Sequence, residues 1–146
     1  MNNFVTDPES RSALMSLIRS KNTAPEMLVF AEMRKRKISF RSHYSSVPGS
    51  PDLARPRKKL AVFIDGDFWH GRDLERIRLK HGPESVWARK LEKNIHRDAL
   101  ADEALGERGW AVLRVWESDI KRMSTRVVAF NTIASFLCSR DALSTR

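Results

Sequence analysis

The stretch Pro51–Gly71, PDLARPRKKLAVFIDGDFWHG, decides how this chain is organised. Leu60–Ile64 is continuously apolar, the pattern of a strand covered on both faces. Before it, Arg55–Lys59 (RPRKK) reads as a tight connection and Asp52-Leu-Ala as a shorter strand, so the two strands form a hairpin. After it the pattern breaks. Asp65 and Asp67 flank a glycine, Phe68 and Trp69 follow, and His70-Gly71 closes the segment. In such a hairpin Asp52 enters the first strand as Asp65 leaves the second, which brings both carboxylates to one place.

Working outward, Thr23-Ala-Pro-Glu26 has the form of a capping box with Pro25 in the first turn, and it opens a helix running to about Arg36. Upstream, Ala13, Leu14, Leu17 and Ile18 give Ser10–Arg19 a helical spacing. Ile38–Tyr44 alternates as a strand and leads through the turn-rich SSVPGSP to Asp52. Downstream, Glu84–Gly106 is the longest helical stretch, and Gly109–Trp116 is another strand. Ser124–Leu137 reads as a closing amphipathic helix that offers Val127, Val128, Ala129, Ile133, Ala134 and Leu137 to the core. The order predicts an α/β fold with a mixed central β-sheet flanked by helices.

With 146 residues the chain is expected to form one domain over 1–146, with 1–9 and 141–146 as loose termini. Its single cysteine, Cys138, excludes an intramolecular disulfide and a cysteine-cluster metal site. No apolar run approaches the roughly 18 residues of a membrane span, and no secretory leader is visible, so the bacterial cytoplasm, at the nucleoid when acting, is the expected location. The net charge of +9 favours a polyanionic partner, and the clusters Arg34–Lys37 (RKRK) and Arg55–Lys59 sharpen that toward nucleic acid.

Two convergent carboxylates and a backbone carbonyl form a hard-oxygen site suited to Mg²⁺, which orients phosphate and lowers the pKa of water. The alternative is two turn or cap aspartates. Pro-Asp, a short basic hairpin and an apolar strand ending in Asp resemble the sparse pattern of PD-(D/E)xK nucleases, and that resemblance implies a restriction-endonuclease-like core. The lysine of that pattern is replaced by Asp67, leaving His70 as the nearby group able to move protons near neutral pH. Phe68 and Trp69 are either core aromatics or wedges that open a base stack.

The blocks TAPE (Thr23–Glu26), PGSPD (Pro48–Asp52), VFIDGDFWHG (Val62–Gly71), KNIHRD (Lys93–Asp98) and GWAVLRVWE (Gly109–Glu117) resemble, in order and spacing, the very short patch repair endonucleases. The resemblance covers about Ser10–Lys121. It implies a Mg²⁺-dependent enzyme that nicks double-stranded DNA 5′ to the thymine of a T:G mismatch. By position it makes Asp52 the metal-binding aspartate, the backbone carbonyl of Ile64 a second ligand and Asp65 a group near the metal water. His70 becomes the general base and Glu26 a supporting acid, although a capping box explains Glu26 equally well. Phe68 and Trp69 match the intercalating pair. Met15 matches a third wedge, with core packing as its alternative. Asn94, Arg97 and Asp98 share one helix face and border the site, or else Arg97 and Asp98 are a solvated pair. Trp116-Glu117 is expected to support the fold.

The same resemblance implies a structural zinc held by cysteines and histidine around the Phe-Trp-His loop, and here this chain departs from it. The expected cysteines fall on Asp67, on Arg72 and Leu74 within RDLERI, and on Ser118. No structural zinc is expected, and Asp67 or Asp73 pairing with Arg72, Arg76 or Arg78 is the expected substitute. A monomer is expected, with repair or defence proteins as candidate partners. Two further readings stay open: a nuclease of a restriction, anti-phage or mobile-element system without mismatch preference, and a DNA-binding module whose site has degenerated.

Overall fold

The apolar run forms a central strand of a four-stranded sheet in a computed structural model that describes residues 22–67 and 70–139. In chain order the elements are α1 (Ala24–Lys35), β1 (Arg41–Ser42), β2 (Leu53–Arg55), β3 (Leu60–Asp65), α2 (Leu74–His81), α3 (Val86–Glu107), β4 (Ala111–Trp116), α4 (Glu117–Lys121) and α5 (Met123–Leu137). The sheet order is β1-β2-β3-β4. Strands β1 to β3 pair antiparallel and β4 joins β3 in parallel, giving the mixed sheet flanked by helices that the α/β reading expects. The proposed first helix, with Met15, and the aromatics Phe68 and Trp69 lie outside the described residues.

Every residue of β3 is buried, which is why its sequence lacks alternation. Its side chains nonetheless divide by parity. Val62 and Ile64 enter one core with Val29, Phe30 and Met33 of α1 and Ile133 and Leu137 of α5. Ala61 and Phe63 enter the other with Leu105 of α3, Val112 of β4 and Trp110. Asp65 follows the second parity, and Arg114 follows that of Val112. The side chains that terminate these strands therefore emerge on the α3 side of the sheet.

The hairpin is realised with Leu53 opposite Val62 and Arg55 opposite Leu60, closed by the Lys58 N–H donating to the Arg55 carbonyl. Its basic turn sits at the end of β3 away from Asp65, about 17 Å along the strand at roughly 3.3 Å per residue. Part of the predicted cationic surface serves the fold instead. Arg55 donates to the Leu137 carbonyl and Lys58 to that of Ser139, which ties the hairpin to the end of α5. In the other cluster Arg34 lies over the rings of Phe30 and Phe40, and Arg36 pairs with Glu32.

Several expectations need correction. The strand read over Ile38–Tyr44 shrinks to Arg41–Ser42, because left-handed residues at Lys37 (φ 60°) and His43 (φ 48°) bracket the segment. Ile38 and Phe40 serve as core plugs rather than as ladder residues. RDLERI, read as loop, contains the start of α2. That helix buries none of its residues, so no apolar stripe announces it. Val127 and Val128, assigned to the core, are 62% and 67% exposed, and Phe130 is buried in their place. The face of α5 that meets the sheet runs through Ala129, Phe130, Ile133, Ala134 and Leu137, and the two valines lie outside that stripe. Among the described residues no helix is long and apolar enough to cross a membrane.

Leu53 is fully buried beside Asp52 and pairs with Val62 in the ladder. Leu53→Ala is expected to destabilise the chain by about 2–5 kcal/mol, the cost of lost burial plus a cavity, measured by urea unfolding.

Candidate active site

Strand β3 delivers two neighbouring groups to the mouth of a cleft of about 270 Å³ lined by Glu26, Asp52, Asp65, His70, Asn94 and Asp98, among others. At Ile64 the main chain faces Asp52, whose Oδ2 accepts the Ile64 N–H at 2.7 Å. One residue later the side chain of Asp65 turns toward α3. Asp52 and Asp65 thus share one cleft but belong to different groups.

The first group is Glu26, His43 and Asp52, whose potential ligand atoms lie within 4.8 Å of one another. Glu26 reaches the site because α1 begins there. The capping box is not formed: Thr23 occupies the N-cap without a side-chain bond, and Glu26 Oε1 accepts the Asn22 N–H at 2.8 Å. With Pro25 in the first turn and the carboxylate turned inward, Glu26 is 6% exposed and sits 3.5 Å from His43 Nε2. His43 Nδ1 is 3.9 Å from Asp52 Oδ1. The imidazole is held edge-on to Phe30, with centroids 5.5 Å apart. Burial pushes the Asp52 carboxyl up to about 8, against the pull of the Ile64 N–H and with a further push from Glu26 and Asp65.

The second group is Asp65, His70 and Asp98. His70 Nδ1 is hydrogen-bonded to Asp98 Oδ2 and lies 3.7 Å from Asp65 Oδ1. Arg114 anchors the group from β4: its Nη1 donates to both Asp65 oxygens at 3.0 Å, while Nε and Nη2 grip Asp102 on α3 at 2.7–3.1 Å. The guanidinium also lies 4.1 Å from the Phe63 ring centroid. Burial pushes the Asp65 carboxyl up, and the charges of His70 and Arg114 oppose that push.

Gly71 explains the glycine after the histidine. Its backbone is left-handed (φ 73°), and a Cβ there would approach the Ile95 side chain on α3 to 2.5 Å. The loop therefore rests directly on the helix that carries Asn94, Arg97 and Asp98.

Of the residues named from sequence, Glu26, Asp52, Asp65, His70, Asn94 and Arg97 all line this cleft together with Ile64. Asp98 pairs with His70 rather than standing as a solvated partner of Arg97. Glu117, assigned to the fold, also lines the cleft. Sequence reasoning missed His43 and Arg114. His43 becomes legible once SSVPGSP is read as a hairpin loop, because its N–H then donates to the Asp52 carbonyl across the turn. Arg114 is a lone charge in the strand AVLRVW, and a charge that enters a sheet interior needs a carboxylate partner.

The donors fit a divalent cation. A buried carboxyl that keeps its proton to about pH 8 beside two other acids is ionised most readily when a cation joins it. Asp52 and Glu26 offer carboxylate oxygens of the hard kind a divalent cation takes, and Asp65 lines the same cleft from the second group.

Comparison with known proteins gives consistent matches. The family model described as DNA mismatch endonuclease Vsr matches residues 3–76. The chain is 38% identical over 119 residues to the type II nicking enzyme V.NmeDIP of Neisseria meningitidis serogroup C, covering 81% of this chain and 80% of that protein. It is 37% identical over 113 residues to the type II nicking enzyme V.XorIIP of Xanthomonas oryzae, covering 77% and 83%. It is 31% identical over 117 residues to the DNA mismatch endonuclease Vsr of Escherichia coli K12, covering 80% and 75%.

The Asp52 shift carries a pH signature. Folded Asp52 holds its proton up to about pH 8, whereas the unfolded residue loses it near its ordinary value of 3.8. Between those values the folded chain binds the extra proton, so stability of the metal-free protein falls as pH rises. Asp52→Asn should flatten that decline, read as melting temperature against pH in the presence of a chelator.

Proposed function

This chain belongs to the Vsr DNA mismatch endonuclease family and is a DNA-nicking endodeoxyribonuclease, and from that premise we propose that it is a Mg²⁺-dependent enzyme that nicks duplex DNA 5′ to the thymine of a T:G mismatch. The observation that carries the proposal is the histidine–carboxylate pair His70–Asp98 in one cleft with the half-buried Asp52 and the buried Glu26.

Each group has a role its surroundings suit. Asp98 is a hydrogen-bond acceptor when ionised, so it holds the proton of His70 on Nδ1 and leaves Nε2 as the basic nitrogen. His70 Nε2 takes the proton of the water whose oxygen bonds to phosphorus, the opposite P–O ester bond breaks, and the departing 3′ oxygen takes a proton from solvent. Asp65, clamped by Arg114, stabilises the imidazolium that results. Asp52, the Ile64 main-chain carbonyl and Asp65 are the proposed ligands of the ion, with Glu26 supporting Asp52. Bound there, Mg²⁺ supplies Lewis acidity at the phosphate and lowers the pKa of water. Asn94 and Arg97 are proposed to contact the DNA backbone at the cleft. Phe68, Trp69 and Met15 are proposed as the wedges that unstack the mismatch, a step that is least costly where pairing is already weak.

A second reading keeps the nicking chemistry and drops the mismatch. It is favoured by the relatives named type II nicking enzymes and by the departure at Asp67, Arg72 and Ser118 beside the aromatic pair.

With Mg²⁺, the wild-type protein is expected to convert supercoiled plasmid to open circles, and Asp52→Ala to leave it supercoiled. His70→Ala should slow nicking by about 10²–10⁴-fold, as loss of a general base does. Unchanged plasmid with the wild type would overturn the nuclease assignment. On oligonucleotide duplexes, cutting of T:G but not T:A is expected, and equal cutting of both replaces the first reading with the second.

A further inference from the structure

The loop that carries the aromatic pair and His70 is closed by polar side chains that the nicking chemistry does not use. Asp67 and Arg72 bracket it, joined through the main chain by the Arg72 N–H donating to the Asp67 carbonyl at 3.0 Å. Within the loop the His70 N–H donates to the Gly66 carbonyl at 3.0 Å. Arg72 Nη1 donates to Asp67 Oδ2 at 3.1 Å and to Ser118 Oγ at 2.7 Å, and lies 3.7 Å from Asp119 Oδ1. Ser118 completes the ring. Its N–H donates to Asp67 Oδ1 at 3.0 Å and its hydroxyl to Asp67 Oδ2 at 2.6 Å. The guanidinium is seated 5.2 Å from the ring centroid of Trp116.

Ser118 and Asp119 belong to the first turn of α4, 51 residues from Asp67 in the case of Ser118. One cationic nitrogen therefore gathers three oxygens from two distant segments, the task a metal performs when it knots loops together. The family resemblance calls for zinc at this loop, and Asp67, Arg72 and Ser118 are three of the four positions, with Leu74, where its cysteines fall. The residues present do not fit zinc. The cluster contains no thiolate or imidazole, and its centre is occupied by a guanidinium that stays charged and cannot ligate.

We propose that Arg72 is a built-in cation that replaces a structural metal, and that the Asp67–Arg72–Ser118 clasp positions His70 for nicking. Arg suits the role better than Lys, because its planar guanidinium packs on the Trp116 indole while one of its nitrogens gathers the oxygens. Asp67, Arg72 and Ser118 are positioning residues, and the consequence for the enzyme is a recognition loop whose geometry is independent of zinc supply and of thiol oxidation.

The test has an arm that does not need activity. Protein purified without chelator is expected to contain far less than one zinc per chain, and a zinc-selective chelator should leave its melting temperature unchanged. Arg72→Ala and Ser118→Ala should lower the melting temperature, with Arg72→Lys in between. The kinetic arm rests on the nicking reading. At saturating Mg²⁺, Arg72→Ala should lower kcat by about 10–100-fold, the effect of misplacing a reacting group by about 1 Å, with a smaller change in KM. Arg72→Lys should recover part of that loss. Arg76→Ala, at an exposed neighbour that pairs with Asp73 at 3.7 Å and takes no part in the clasp, should match wild type. Stoichiometric zinc, or Arg72→Ala and Ser118→Ala with wild-type melting and kcat, overturns the clasp. If the wild type fails to nick, the nuclease reading falls while metal content and melting still decide this one.

Discussion

A carboxylate buried at the end of a buried strand has to be answered by a cation, and Asp65 is answered by Arg114. That pair does more than neutralise one charge. Because β3 and β4 run parallel with Phe63 opposite Arg114, the guanidinium reaches forward along the sheet to Asp65. Sideways it reaches Asp102 on α3, so three elements are locked to one group. The helix so docked also carries Asp98, which orients His70. The position of the proposed base is therefore set by an ion pair between two strands that does not include it.

The other half of the cleft is built differently. Glu26, His43 and Asp52 come from a helix start, a strand end and a hairpin entrance, and they crowd three ionisable groups within 4.8 Å of one another. A carboxyl raised to about 8 is a group held in readiness, since burial makes its charge costly until a cation arrives. In the proposed mechanism the two groups divide the labour that hydrolysis of a phosphodiester requires. Asp52 and Glu26 are on the metal side, His70 and Asp98 move a proton, and Asp65 lies between them.

Much of the fold was legible because burial dictates composition. The unbroken apolar run of β3, the hairpin before it and the long helix after it all follow from periodicity and turn residues. What escaped were elements without a hydrophobic signature, such as α2, and faces decided by neighbours, such as the exposure of Val127 and Val128. At the site Asp52, Asp65 and His70 could be named from their pattern, and Glu26, Asn94, Arg97 and Asp98 from the family resemblance. His43 and Arg114 could not, since each matters only for what lies opposite it in the sheet.

By itself the sequence determined the kind of protein this is: a basic chain with two acids at a hairpin's open end and a histidine within six residues, a combination that needs a phosphate to make sense. The tertiary structure alone decided how those groups divide into two clusters, which cation answers each buried acid, and how Asp67, Arg72 and Ser118 meet. Those outcomes depend on strand parity and on helix docking across up to 51 residues of separation, distances over which local propensity carries no information.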